Sequence, residues 1–221
     1  MSIGADRCRP EMLAFLPERR DRVLEVGCHT GIFAASLEGT KEVWGVEPNS
    51  EAARVASNKI YKVINATFEE AASVLPQKYF DLVICNDVIE HMVDYDGFLQ
   101  AIKIHMSRGG VIVGSIPNIR YYGALTEIIF AKDWNYRESG ILDKTHLRFF
   151  TEKSFRRALE VNGFIIEKMH GINGGIRLSS SRWALCSALA AYGAIILSLG
   201  SFSDVRHLQF GFRARPVAEA C

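Results

Sequence analysis

Short apolar, β-branched runs alternate with amphipathic stretches from Arg22 to Arg213. The runs RVLEV (22–26), EVWGV (42–46), KVI (62–64), FDLVIC (80–85), GVIVGSI (110–116), FIIEKM (164–169) and HLQFGFR (207–213) predict strands. The first, fourth and fifth are almost continuously apolar, as expected of strands buried on both faces of a parallel sheet. Between the strands, SEAARVASNK, FEEAASVL, FLQAIKIHM and TEKSFRRALEVNGF read as helices. In the last of these Thr151 stands as N-cap, Phe155, Ala158 and Leu159 fall at helical spacing, and Gly163 is the stop. This alternation predicts a doubly wound α/β domain, in which ligands bind at the carboxyl ends of the strands. One domain over residues 1–221 is expected. The stretch from Pro117 to Phe150 is too long for an ordinary connection and reads as an insertion or lid over the site.

Composition narrows the classes. With 26 basic and 25 acidic residues, a formal charge of +1, there is no global electrostatic case for a nucleic-acid partner. Five scattered cysteines without a CxxC pair argue against a disulfide framework or a structural zinc site, and point to a reducing cytoplasm. The opening MSIGADRCRPEML has no apolar core of signal-peptide length, so export by that route is not expected. Within an apolar helical segment placed at 177–203, Trp183 to Gly200 runs 18 residues without a charge. A core or subunit-interface helix ranks first, the second of these allowing a homodimer. A monotopic membrane contact flanked by Arg177 and Arg182 ranks second and a true span last, because HLQFGFRARP must return to the same sheet.

The candidate chemistry begins at LEVGCHTGIF (24–33). A glycine loop between a strand and a helix lets backbone N–H groups approach a ligand closely. The dinucleotide pattern GxGxxG fails here at His29 and Ile32, whereas an acid, one gap, Gly, three gaps and Gly fit Glu25, Gly27 and Gly31. Such a loop suits a ligand with an amino-acid tail and no pyrophosphate. Glu47 ends the second strand about 20 residues after Gly27, where a carboxylate takes both hydroxyls of a ribose. The bland readings are a solvated acid and a plain turn; the three features together favour adenosine binding.

VLEVGCHTGIF, GVEPN and FDLVICNDVIEHM resemble motifs I, II and IV of the class I S-adenosylmethionine-dependent methyltransferases, over about Arg22 to Met169. The resemblance implies a Rossmann-like methyltransferase fold with a mostly parallel seven-stranded sheet and an antiparallel last strand. It also implies S-adenosyl-L-methionine as cofactor, with Glu25, Gly27, Cys28 and Gly31 cradling the methionine moiety and Glu47 beside Pro48 on the ribose. Asn86, Asp87 and Val88 then form the wall after the fourth strand. His29 stands where the family often has glycine, so its side chain crowds or contacts the cofactor carboxylate. Many relatives carry an adenine-binding acid after the third strand; here Asn65, Ala66 and Thr67 leave that task to backbone amides or to the Asn65 side chain.

Methyl transfer to a hydroxyl needs alignment and a base. In NDVIEHM, a helical turn puts Asp87, Glu90 and His91 at i, i+3 and i+4 on one face toward the cleft, with His91 as the base; alternatively Glu90 pairs locally and His91 only packs. In DKTHLRFFT, a resemblance to polysaccharide-associated and ubiquinone-biosynthesis O-methyltransferases implies that His146 lines the acceptor pocket, with Arg148 or Lys144 near an anionic group. The alternative is a core strand in which His146, Arg148 and Phe150 share a side. No metal is expected, although the acids and histidines resemble the ExxEH cluster of some metal-using relatives, with Asp87 in place of the first glutamate. Tyr121, Tyr122, Trp134 and Tyr136 suit a sugar ring or a lid, and Asn118 after the fifth strand is a candidate acceptor contact. The expected activity is O-methylation of a small polar acceptor such as a sugar or glycan precursor. N- or C-methylation of a natural product, a non-catalytic cofactor-binding subunit and a nicotinamide-dependent oxidoreductase are the alternatives.

Overall fold

The computed structural model describes residues 8–175 and 182–218. After a 3-10 turn at Pro10–Phe15, the chain runs β1 (Arg22–Val26), α1 (Ile32–Ala35), β2 (Glu42–Val46), α2 (Ser50–Ala56), β3 (Lys62–Ile64), α3 (Phe68–Ala71) and β4 (Phe80–Asn86). It continues through α4 (Tyr95–His105), β5 (Met106–Pro117), α5 (Tyr122–Thr126), α6 (Glu152–Val161), β6 (Phe164–Gly174), α7 (Arg182–Leu197) and β7 (His207–Pro216). One sheet holds all seven strands in the order β3-β2-β1-β4-β5-β7-β6. The pairings from β3 across to β5 are parallel, and β7 lies antiparallel to both β5 and β6. The expected doubly wound, mostly parallel sheet with an antiparallel last strand is therefore present.

Alternation along the central strands builds two cores. On one face Leu24, Val83 and Ile112 meet Phe98, Leu99, Ile102, Phe155 and Leu159; on the other Val23, Leu82, Ile84 and Val113 meet Met12, Phe15, Phe33 and Ala34. A strand with apolar residues on both sides has no face left for water, which is why these runs read as continuous rather than alternating. Helix ends follow local chemistry. Asp94 accepts from the Gly97 N–H (2.8 Å) and starts α4 at Tyr95, earlier than the periodicity suggested. Thr151 and Ser154 form a reciprocal cap on α6, and Gly163 at φ +74° follows its end. The predicted helix at 68–75 keeps α geometry only over Phe68–Ala71.

Strand order reverses between β1 and β4, so a crevice opens at their carboxyl ends. Two long connections leave the sheet at this same edge, as the pairings Pro117↔Gln209 and Gly174↔His207 show. The first, after Pro117, contains α5 and a π-type turn at Glu127–Ala131. The second contains α7, whose Ala191 packs with Tyr122 of α5 and Val205. Among the described residues no helix is long and apolar enough to cross a membrane; the flanking Arg177 lies outside the described residues.

Candidate functional site

The loop after β1 is held by its backbone. Gly27 donates to the Val46 carbonyl (2.8 Å) at φ +70°, and a Cβ there would lie 2.7 Å from Cγ2 of Val88. Gly31 has φ +72°, and a Cβ on it would press on Ala56 at 3.1 Å. Both positions therefore demand glycine. His29, at φ +47°, occupies the left-handed region too, held there as its N–H donates to Glu47 Oε2 (2.8 Å). An L-residue loses roughly 1 kcal/mol in this conformation, a cost that the hydrogen bond to Glu47 offsets. The other Glu47 oxygen accepts from the Asn49 N–H (2.9 Å). The buried Glu47 thus ties the first loop to the second, and Asn65 braces the same turn by donating to the Glu47 and Pro48 carbonyls (2.8 and 3.1 Å).

Two of the expected cofactor positions offer backbone and not side chain. The Cys28 side chain does not face the crevice: a Cβ on Gly45 would meet its Sγ at 2.5 Å, and it is buried with Phe33, Val43 and Ile60. Burial pushes its thiol pKa above the ordinary range, so only the Cys28 backbone is available to a ligand. Thr67 caps α3, its Oγ1 accepting from the Glu70 N–H (3.4 Å) while the Glu70 carboxylate accepts from the Thr67 N–H (2.9 Å), and beside it Ala66 offers only backbone.

At the strand ends, buried polar atoms stand without protein partners: Glu25 Oε2, both side-chain atoms of Asn86, and both carboxyl oxygens of Glu90. A buried polar atom left unpaired is costly, and such atoms gathered at one crevice are what a polar ligand satisfies. Burial raises the Glu25 pKa to about 8, against the Ala34 backbone and the Arg9 charge, which lower it.

Asp87 does not continue a helical face with Glu90 and His91. It adopts φ +53°, and only a single 3-10 turn, Ile89–His91, follows. Its carboxylate accepts from Arg9 Nη1 (2.8 Å), Ser115 Oγ (2.7 Å) and Gln209 Nε2 (2.7 Å). This network draws the N-terminal segment, β4, β5 and β7 together. Arg9 also donates to Ser115 Oγ (3.0 Å), and its charge lowers the pKa of both Glu25 and Glu90. Sequence reasoning began at Arg22 and missed Arg9; the signal was an arginine before the apolar pair Met12 and Phe15, which anchors its turn in the core.

His146 comes to Glu90 instead. The Glu90 carbonyl accepts from the N–H groups of Leu147 and Arg148 (2.8 and 3.1 Å), bringing the remote segment onto the end of β4. His146 is buried, its Nδ1 2.9 Å from the Ile141 carbonyl and its Nε2 4.0 Å from Glu90 Oε1. A carbonyl accepts only, so Nδ1 carries the proton and Nε2 keeps its lone pair. Burial lowers the His146 pKa, and burial likewise drives that of Glu90 well up, with Asp87 adding to it. Burial therefore disfavours the charged form of both groups, and the imidazole faces a carboxyl that has no hydrogen-bond partner among the described residues. His91 is exposed and lies edge to face with His146, ring centres 4.8 Å apart. Ligand atoms of Glu90, His91 and His146 lie within 4.8 Å of one another.

The core-strand alternative for DKTHLRFFT fails: no strand forms, His146 and Phe150 are buried, and Arg148 and Leu147 are exposed. Other expected contacts are spent on the fold. Asn118 is fully buried, donating to the Asp204 and His207 carbonyls (both 2.9 Å), so it staples the two insertions and does not face an acceptor. Lys144 pairs with Glu138, and Arg148 donates to the Val93 carbonyl (3.0 Å). Tyr122 is buried against α7, while Trp134 and Tyr136 remain exposed, with Trp134 edge-on to Phe149 at 4.9 Å.

A family model described as a methyltransferase domain matches residues 4–168, three quarters of the chain. The chain belongs to the S-adenosylmethionine-dependent methyltransferases. Among curated proteins it is 27% identical over 157 residues to a ubiquinone biosynthesis O-methyltransferase of Bradyrhizobium diazoefficiens, covering 68% of this chain and 61% of that one. It is 29% identical to the protein of the same name from Aeromonas salmonicida, covering 69% of this chain and 66% of that one. The match thus spans about three fifths of the first of these relatives. A SAM-dependent methyltransferase from Archaeoglobus fulgidus shares the fold at TM-score 0.64 and 19% identity, covering 92% of this chain and 89% of that one. The family's cofactor is S-adenosyl-L-methionine, and the two strict glycines with the unpartnered Glu25 and Asn86 atoms at the crevice fit such a ligand.

Proposed function

We propose that this methyltransferase transfers a methyl group to a hydroxyl oxygen of a small polar acceptor, a sugar or glycan precursor. The observation that carries this reading is the buried, neutral His146 with Nε2 free to accept a proton beside the crevice. A hydroxyl is a poor nucleophile until its proton has somewhere to go, whereas an amine acceptor needs no such base once unprotonated. The O-methyltransferase names of the curated relatives support the same bond type.

When bound, S-adenosylmethionine supplies an electrophilic methyl on a sulfonium. Glu25 would take the ammonium of the methionine end, and the Gly27–Gly31 backbone, which includes His29, would hold the methionine moiety. Each carboxylate oxygen accepts more than one hydrogen bond, so Glu47 retains sites for both ribose hydroxyls while holding His29 and Asn49. Backbone amides near Ala66 and Thr67 would read the adenine edge, and Asn86, Asp87 and Val88 would form the wall after β4. His146 takes the acceptor proton at Nε2, and His91 and Glu90 shape the same corner.

Glu25 makes cofactor binding pH-dependent. An acid that titrates near 8 must lose its proton before it pairs with an ammonium, so affinity should rise about tenfold per pH unit from about pH 6 to 8 and then level. Calorimetry with S-adenosylhomocysteine, which keeps the ammonium, reads this directly; Glu25→Gln should flatten the profile, and a flat wild-type profile contradicts the assignment.

A second reading rests on the cluster of Glu90, His91 and His146. A divalent cation held there would polarise an acceptor hydroxyl. Turnover with a panel of sugars, nucleotide sugars and glycan intermediates, with and without exhaustive chelation, tests both readings. A methyl ether formed in chelator supports His146 as the base; activity lost and restored by added metal supports the cation. Methylated nitrogen or carbon would overturn the oxygen assignment, and cofactor binding without any turnover would favour a non-catalytic subunit.

A further inference from the structure

Helix α7 divides its surface. Ala188 and Ala191 are buried, Ala191 against Tyr122 of α5, whereas Leu189, Tyr192, Ile196 and Leu197 are exposed. The helix then closes with Gly200 N–H on the Ile195 carbonyl (2.9 Å), which puts Leu199 at φ +51° and 97% exposed. This is the helix-ending position that normally takes glycine or asparagine. A leucine there carries backbone strain and an apolar side chain in water at once, next to the exposed Ile196 and Leu197.

Beside this tip lies a recess of about 560 Å³ whose wall includes Arg120, Lys153 and Arg156, two acids and two serines. The acids are matched: Asp204 pairs with Arg120 (2.5 Å) and Glu152 with Arg156 (3.1 Å). The guanidinium of Arg120 also sits 4.9 Å over the ring of the half-exposed Phe202. The recess is left one charge positive by the exposed Lys153. Moreover, between Glu167 and Asp204 the sequence holds no acid, only Lys168, Arg177 and Arg182 among its charges.

We propose that the exposed face of α7, the Leu199–Phe202 tip and the adjoining basic recess dock on an anionic lipid bilayer, with Ile196, Leu197 and Leu199 entering the acyl boundary and the recess facing headgroup phosphates. Charge selects lipid over a second copy. A symmetric dimer sets a patch against itself, so the unmatched Lys153 would face its own copy, whereas an anionic leaflet attracts it. The 16 residues of α7 reach roughly 24 Å, short of a hydrocarbon core, so the contact is interfacial. Because both insertions rise from the carboxyl edge of the sheet, docking holds the acceptor side of the crevice near the bilayer.

Flotation of the full chain with phosphatidylcholine vesicles, with and without phosphatidylglycerol, tests this without cofactor or acceptor, so its outcome is independent of the proposed reaction. The wild type should float with the anionic vesicles and dissociate as salt is raised. Ile196→Asp with Leu199→Asp should lower vesicle affinity by about a hundredfold through lost apolar burial. Lys153→Ala should lower it about fivefold. Unchanged S-adenosylhomocysteine affinity in these variants reports an intact fold. A wild type that stays unbound, or a double variant that floats equally well, overturns the proposal. So does a solution dimer that the double variant splits while vesicles remain unbound, since that places a second copy on this face.

Discussion

Replacing His146 with alanine should lower kcat by about 10² to 10⁴-fold, with little change in cofactor affinity. The imidazole Nδ1 is committed to the Ile141 carbonyl at 2.9 Å, and burial disfavours its charged form, so Nε2 is a lone pair held ready at neutral pH. Removing the ring removes the proton acceptor while leaving the β1 and β2 loops, where the cofactor is assigned, untouched. Steady-state kinetics with the acceptor found by the panel separates the roles. A base shows its loss in kcat with KM nearly constant, and His146→Gln, which keeps polarity without a base of that strength, is no rescue. A packing residue instead shows a lowered Tm and near-normal turnover once folded. Full activity in the alanine variant removes His146 from the reaction.

Glu47→Ala carries the second large effect, and it falls on both stability and binding. Its two oxygens accept from His29 N–H (2.8 Å) and Asn49 N–H (2.9 Å), and the carboxylate is buried. Truncation removes two part-buried hydrogen bonds to a charged acceptor, at about 1–3 kcal/mol in all once water reaches the freed N–H groups. It also frees His29 from the left-handed conformation that the bond enforces. Two ribose hydrogen bonds to a charged acceptor vanish as well, so S-adenosylhomocysteine affinity should drop by at least about a hundredfold. Thermal melts and calorimetry on the same samples read the two losses. Glu47→Gln keeps one acceptor oxygen and should recover part of the stability with little of the affinity. Unchanged affinity in the alanine variant would overturn the ribose assignment.

How much of this was legible from the chain alone differs by element. The strand boundaries at 22–26, 42–46 and 62–64 agree with the folded strands, because each is a short apolar run between polar breaks. The glycine loop was legible for a similar reason: φ values of +70° and +72° leave few residue types that serve at Gly27 and Gly31. Where the Cys28 side chain goes was not legible, since adjacency in the loop says nothing about whether a thiol turns to the crevice or to Gly45. At NDVIEHM the helical projection failed on one torsion. With Asp87 in the left-handed region, its carboxylate leaves Glu90 and joins Arg9, Ser115 and Gln209, partners 78, 28 and 122 residues away. No periodicity holds that information.

By itself the sequence determined the layered α/β order, the central strands, the positions where only glycine serves, and the presence of an uncharged segment before the last strand. These follow from local sterics and from apolar spacing, which act within a few residues. The tertiary structure alone decided that His146 meets Glu90, that Asn118 braces the insertions, that Arg9 closes on Asp87, and which side of α7 faces solvent. Those outcomes depend on hydrogen bonds and contacts between segments far apart in the chain, whose geometry exists only once the sheet has brought its carboxyl edge together.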